Sequence, residues 1–329
     1  MKVLITGVAG FIGSHLAERL LDEGNEVIGI DNFLTGKREN IEHLLSRPSF
    51  IFIEHDVNDP YDYPDGISEI YHLASAASPV FYTKYAIETL LTGSLGTYQM
   101  LELARKTRAR FLFTSTSEIY GDPEEHPQRE EYWGNVNPIG ERSMYDESKR
   151  FGEALVMAFH RKYGMDTKIA RIFNTYGPRM RDDDGRVIPN FIMQALRDEP
   201  LTVYGDGTQT RSFCYISDMV EGIIKLMRSD YHLPVNLGNP EEYRIIDVAK
   251  IILKVTGREE KIEYRPLPPD DPQKRRPDIS RAKEVLGWEP KVPFEKGLKE
   301  TIEWIREKMA QELFLHRMRR KTFFLFLKE

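Results

Sequence analysis

The chain has 329 residues, 40% of them hydrophobic and 30% charged, which is enough apolar material for a sizeable core and excludes global disorder. Acidic residues outnumber basic ones, giving a formal net charge of -6, so no broad cationic field for nucleic acid is expected. The one cysteine, Cys214, excludes an intrachain disulfide framework and a cysteine metal cluster.

The first half alternates short β-rich runs with helical patterns. Residues 3–6, 26–30, 50–54, 67–73 and 109–114 read as buried strands; residues 11–23, 85–105 and a short piece at 40–45 read as helices. Such alternation predicts an α/β protein with a Rossmann-type, doubly wound parallel sheet. Residues 121–141 are rich in Pro, Gly and charge without periodicity, which points to a functional loop. A helix at 145–163 and a strand at 167–173 follow. Beyond Pro178 the elements shorten. The reading is a first domain over 1–177, a smaller C-terminal domain over 178–307 interleaved with it, and a tail extension over 308–329. The tail carries His316, Arg317, Arg319, Arg320 and Lys321 before Phe323-Phe324-Leu325-Phe326-Leu327. It reads as an extension packed on the body or another subunit, with a membrane-surface anchor as the alternative. No signal-like or transmembrane segment is recognised, and a reducing, cytoplasmic setting is expected.

Gly7-Val8-Ala9-Gly10-Phe11-Ile12-Gly13 follows a predicted strand and opens a predicted helix. Gly7 suits the tight turn, Gly10 a close approach of pyrophosphate to backbone, and Gly13 close packing of helix on strand. Asp31 ends the second strand, where a carboxylate accepts ribose hydroxyls and repels a 2′-phosphate, so NAD is expected rather than NADP, with Lys37 and Arg38 nearby as the countersignal. Tyr145 and Lys149 lie at i and i+4 on one helical face, and an ammonium beside a phenol is expected to lower its pKa toward neutrality. Thr116, Ser117 and Glu118 end a strand at the edge that faces the ligand crevice, where Glu118 can serve as acid or base. No metal-ligand pattern is found.

These motifs resemble the extended short-chain dehydrogenase/reductase superfamily of nucleotide-sugar enzymes and, within it, the UDP-glucuronate decarboxylase family. The likeness covers about residues 1–306. It rests on Tyr71-His72-Leu73-Ala74-Ser75, Thr116 to Pro123, His126-Pro127-Gln128, Tyr132-Trp133-Gly134, Asn137 to Gly140, Ala170 to Met180, Asp184 to Val187, Val235 to Pro240 and residues 270–278. The resemblance implies that Gly7, Gly10, Phe11, Ile12, Gly13, Asp31, Asn32, Thr35 and Gly36 hold NAD. Asp56 and Val57 would then flank the adenine, and Leu73, Ala74 and Ser75 would approach the nicotinamide ribose. It implies catalysis by Tyr145, Lys149, Thr116, Ser117 and Glu118, a UDP-sugar held by Asn174, Val187, Tyr204, Arg211 and Arg275 at its diphosphate side, and a homodimer. The implied reaction is NAD-dependent decarboxylation of UDP-glucuronate to UDP-xylose through a transient 4-keto sugar. A 4-epimerase or 4,6-dehydratase, or a non-catalytic NAD-binding scaffold, stands as the alternative. Ser117 disfavours the dehydratase, which needs an acid there. Three positions depart from the family pattern: Leu91 removes a cation that could contact an acidic sugar, Gly93 stands inside a helix, where glycine costs roughly 1 kcal/mol relative to alanine, and Ala76 stands where the family often has proline.

Overall fold

The structure is a computed structural model that describes residues 1–266 and 274–326, with side chains through residue 312. In chain order, β1 (Lys2–Thr6), α1 (Phe11–Asp22), β2 (Glu26–Asp31), two 3-10 turns, β3 (Phe50–Glu54) and β4 (Ile67–His72) come first. α2 (Pro79–Lys84), α3 (Ala86–Leu91), a π turn (Thr92–Gly96), α4 (Thr97–Thr107), β5 (Arg110–Thr116), α5 (Ser143–Tyr163) and β6 (Thr167–Ile172) complete the first half. The second half adds β7 (Thr175–Tyr176), α6 (Val187–Leu196), β8 (Leu201–Tyr204), β9 (Thr210–Ser212), β10 (Cys214–Tyr215), α7 (Ile216–Arg228) and β11 (Val235–Leu237). It closes with β12 (Glu242–Arg244), α8 (Ile245–Thr256), β13 (Ile262–Arg265), β14 (Lys274–Arg275), α9 (Ser280–Leu286) and α10 (Phe294–Phe326).

The large sheet has seven strands in the order β11-β6-β5-β4-β1-β2-β3, every neighbouring pair parallel. The chain winds outward from β1 through β2 to β3, then restarts at β4 on the other side of β1. That reversal opens a crevice beyond the carboxyl ends of β1 and β4. Side-chain alternation along β1 serves both faces: Val3 and Ile5 join the core shared with α1 and α7, and Leu4 joins the core shared with α4 and α5. β11 brings residues of the second half back into this sheet beside β6. The rest of that half builds small sheets, β10-β7, β12-β9-β14 and β13-β8.

The helix expected over 85–105 is instead three pieces, α3, the π turn and α4, and the helix expected at 40–45 is two 3-10 turns, Arg38–Asn40 and Glu42–Leu44. Gly93 explains the first break. A Cβ there would lie 2.5 Å from the Ser148 Cβ, so only glycine lets the π turn pass this close to α5. Leu91 is half exposed and does not line the cavity described below, so the missing cation is not missing from the site. α2 had gone unrecognised, although Ser78-Pro79 is a helix-start signal. No helix among the described residues is long and apolar enough to cross a membrane. Both readings of the tail concern side chains outside the described residues, as do the motif positions 270–273.

Candidate active site

One cavity of about 560 Å³ lies in the crevice, and every residue expected to hold the cofactor or substrate or to act in catalysis lines it. One wall is the turn after β1. Gly7 sits at φ 71°, and a Cβ on Gly13 would lie 2.2 Å from the Gly7 carbonyl oxygen, so the turn exists only with glycine at both ends. Gly10 precedes α1 without a side-chain cap, leaving the first-turn N–H groups directed at the cavity. Asp31 is nearly buried. Its Oδ2 accepts from the Ala9 N–H at 2.9 Å and its Oδ1 from the Phe33 N–H at 2.8 Å. Burial pushes this carboxyl up, and the two N–H groups oppose the rise. Asn32 Nδ2 donates to Asp56 Oδ2 at 2.9 Å, joining two cavity-lining residues beyond β2 and β3. Lys37 is turned away: its ammonium meets Asp182 at 3.1 Å and Glu39 at 3.7 Å, and neither Lys37 nor Arg38 lines the cavity. Across the turn, Thr6 Oγ1 accepts the N–H groups of Leu73 and Ala74, both at 3.1 Å, which fixes the strand end below Ser75.

These features test whether a dinucleotide fits. The backbone positions that a Cβ would fill, the open helix end and the carboxylate beside it suit a pyrophosphate and a ribose diol. Ser78 Oγ, Tyr82 OH, Gln209 Oε1 and Arg275 Nε also line the cavity, buried and without a hydrogen-bond partner among the described residues. Buried polar atoms left open in one cavity point to a polar ligand.

The reactive end is built by β5 and α5. Thr116 Oγ1 accepts the Glu118 N–H at 3.2 Å and also hydrogen-bonds the Tyr145 phenol. The Tyr145 ring stacks on Tyr82, centroids 5.0 Å apart and planes within 7°. Lys149 donates to the Thr114 carbonyl at 2.8 Å, with its Nζ 4.9 Å from the Phe113 ring centroid and 5.9 Å from that of Tyr145. The expected neutral-range phenol is not what this environment gives. Burial pushes Tyr145 up to about 12, against the Thr116 bond, and burial alone pushes Lys149 down to about 7. The i, i+4 spacing brings the pair together, but low polarity penalises both charged forms.

Glu118 also departs from expectation. Burial favours its protonated form, yet Arg275 and Arg142 outweigh it and hold the carboxyl down to about 2. Arg142 Nη2 reaches Glu118 Oε2 at 2.7 Å, and Arg275 Nη1 contacts Oε1. The two guanidinium groups thus favour the ionised form of Glu118, which suits the base of the two expected roles better than the acid. Arg275, expected at a diphosphate, contacts Glu118 at the catalytic end. Asn174, Val187, Tyr204 and Arg211 line the side built by the second half; Arg211 Nη1 donates to the Thr210 carbonyl at 2.8 Å. Sequence reasoning missed Tyr82, Arg142, Arg181 and Arg186, which also line the cavity. Arg142 had a usable signal, three residues before Tyr145 at the cap of α5.

Comparison with known proteins gives a consistent picture. The family model described as GDP-mannose 4,6 dehydratase matches residues 4–301. UDP-glucuronic acid decarboxylase 1 of Arabidopsis thaliana is 53% identical over 312 residues, covering 95% of this chain and 71% of the plant protein. Among solved structures, UDP-glucuronic acid 4-epimerase from Bacillus cereus, in complex with UDP-glucuronic acid and NAD, superposes with a TM-score of 0.82 at 32% identity, covering 93% of this chain and 99% of that one. dTDP-glucose 4,6-dehydratase from Streptomyces venezuelae, with NAD bound, gives a TM-score of 0.85 at 27% identity, covering 94% and 98%.

Proposed function

The chain belongs to the UDP-glucuronic acid decarboxylases, within the family described as GDP-mannose 4,6 dehydratase, and from that premise we propose that it converts UDP-glucuronate to UDP-xylose and carbon dioxide with NAD. The observation that carries the reading is the shared cavity: Tyr145, Lys149 and Thr116 face the same space as the glycine turn and Asp31.

Gly7, Gly10, Gly13 and the first turn of α1 hold the pyrophosphate of NAD, Asp31 its ribose, and Leu73 to Ser75 the nicotinamide side. When bound, NAD supplies an acceptor that borrows and returns a hydride, and a positive charge. Asp31 and the diverted Lys37 favour a cofactor without a 2′-phosphate. Tyr145 takes the proton from the sugar O4 as C4 becomes a ketone. The ketone is β to the C5 carboxylate, so the C5–C6 bond breaks, carbon dioxide leaves and the electrons enter an enolate. The Tyr145 and Thr116 hydroxyls are placed to hydrogen-bond its oxygen. C5 then takes a proton from a water molecule beside Glu118, the hydroxide left behind being neutralised by solvent, and Tyr145 returns its proton to O4 as C4 is reduced. The guanidinium of Arg211 offers a fork of donors suited to the diphosphate. Dehydration is disfavoured because Ser117 is no acid and Glu118 stays ionised.

Incubation of the protein with UDP-glucuronate should release carbon dioxide and UDP-xylose without accumulation of NADH. UDP-galacturonate with its carboxylate intact would instead make the protein a 4-epimerase, and no turnover of any UDP-sugar would leave only a scaffold.

The outer face supports a homodimer. Ile87, Leu90, Leu91, Leu95, Tyr98 and Phe151 are exposed on neighbouring elements, α3, the π turn, α4 and α5, an apolar surface of the kind that a second copy covers. Light scattering should give a mass twice the 38.3 kDa of the chain, and a monomer would reject the assignment.

A further inference from the structure

The loop over residues 121–141 does more than bridge β5 and α5. Gln128 is fully buried and bonds the segment that follows β14 through both its backbone and its side-chain oxygen. Its N–H donates to the Arg276 carbonyl, its Oε1 accepts the Arg276 N–H, and its carbonyl accepts the Asp278 N–H, each at 2.9 Å. The remaining side-chain donor, Nε2, bonds the Glu125 carbonyl at 2.7 Å. Asn236, also fully buried, closes the grip by donating to the carbonyls of Gln128 at 3.0 Å and Asp278 at 3.1 Å. Arg275 is the residue just before this clasp. Its own strand has only two residues, paired to β9. One side of Arg275 is thus set by a minimal ladder and the other by Gln128.

We propose that Gln128 is a positioning residue that acts through Arg275: by fixing residues 276–278, it holds the Arg275 guanidinium against Glu118 in the cavity. The contact needs this help because the two partners are 157 residues apart in sequence and the Arg275 guanidinium is buried. A small displacement of Arg275 leaves the Glu118 carboxylate with Arg142 alone. The function of the clasp rests on the proposed reaction; the clasp itself does not.

A double-mutant cycle tests it. Gln128→Leu should lower kcat about tenfold, the size expected when a buried donor loses its acceptor and a dependent group shifts. In an Arg275→Met background the same change should cost less than about twofold, because the residue it acts through is gone. The acid limb of the kcat/KM profile should move to higher pH in Gln128→Leu, since burial raises the Glu118 carboxyl once Arg275 is displaced; Arg142, Tyr145, Tyr82 and Asp146 are the other titratable groups that bear on Glu118. The cycle is read on whichever UDP-sugar the wild-type protein turns over, so a wrong substrate assignment and a wrong positioning assignment give different results. Amide exchange at Arg276 and Asp278 is followed in parallel and needs no turnover. Faster exchange there, with the large sheet unchanged, is the expected result. Additive losses in the cycle, or unchanged protection at both amides, would overturn the proposal.

Discussion

Tyr145→Phe should lower kcat by roughly 10³-fold while leaving the fold and the bound cofactor in place, because it removes one proton-transferring oxygen and nothing else. The ring stays in its stack on Tyr82 and remains buried. What is lost is the hydroxyl, with its bond to Thr116 and its access to the sugar O4. Steady-state rates on UDP-glucuronate, together with the NAD content of the purified variant, decide the matter. A kcat within tenfold of wild type would remove Tyr145 from the chemistry. A variant that loses both NAD and activity would show only a damaged site. The phenol of the protein alone sits near 12, so the reaction depends on positive charge arriving beside it. Proton abstraction by Tyr145 should therefore be much weaker in protein stripped of its cofactor than the i, i+4 spacing implies.

The difference between local and distant causes explains what the sequence made legible. The glycine turn, Asp31 and the Tyr145/Lys149 pair are short-range patterns whose geometry follows from a strand end or a helical turn, and all of them line the cavity. The parallel sheet was legible for the same reason, since alternating strands and helices leave few topologies. The charge state of Glu118 was not, because it is set by Arg275 from a segment far along the chain and by Arg142 from the cap of α5. Nor was the break in the helix over 85–105. Its cause is the Ser148 side chain on another element, and local propensity read Gly93 only as a weakness. The same blindness made Leu91 look like a lost substrate contact when it lies on the outer face.

Lys149→Met should abolish most activity and yet stabilise the protein near neutral pH. Lys149 is buried with one carbonyl bond and an aromatic ring for company, and burial lowers its pKa from 10.5 to about 7. Between pH 7 and 10.5 the unfolded chain binds a proton at this position that the folded chain does not. Stability therefore rises with pH across that window, and the penalty is greatest at its lower end. Methionine has similar length and no charge to desolvate, so the penalty disappears. A gain on the order of 1 to a few kcal/mol is expected at pH 7, since each pKa unit is worth about 1.4 kcal/mol and the lost carbonyl bond offsets part of it. It should shrink as pH approaches 10. The cost falls on function: without an ammonium at this position the Tyr145 phenolate loses a nearby cation, and kcat should drop by roughly 10²- to 10³-fold. Thermal melts of wild type and variant at pH 7 and pH 10, beside rates at pH 7, separate the two roles. A variant equally destabilised at both pH values would mean that Lys149 is held in its charged form by a partner, and the ground-state picture of a neutral amine beside a neutral phenol would have to be given up.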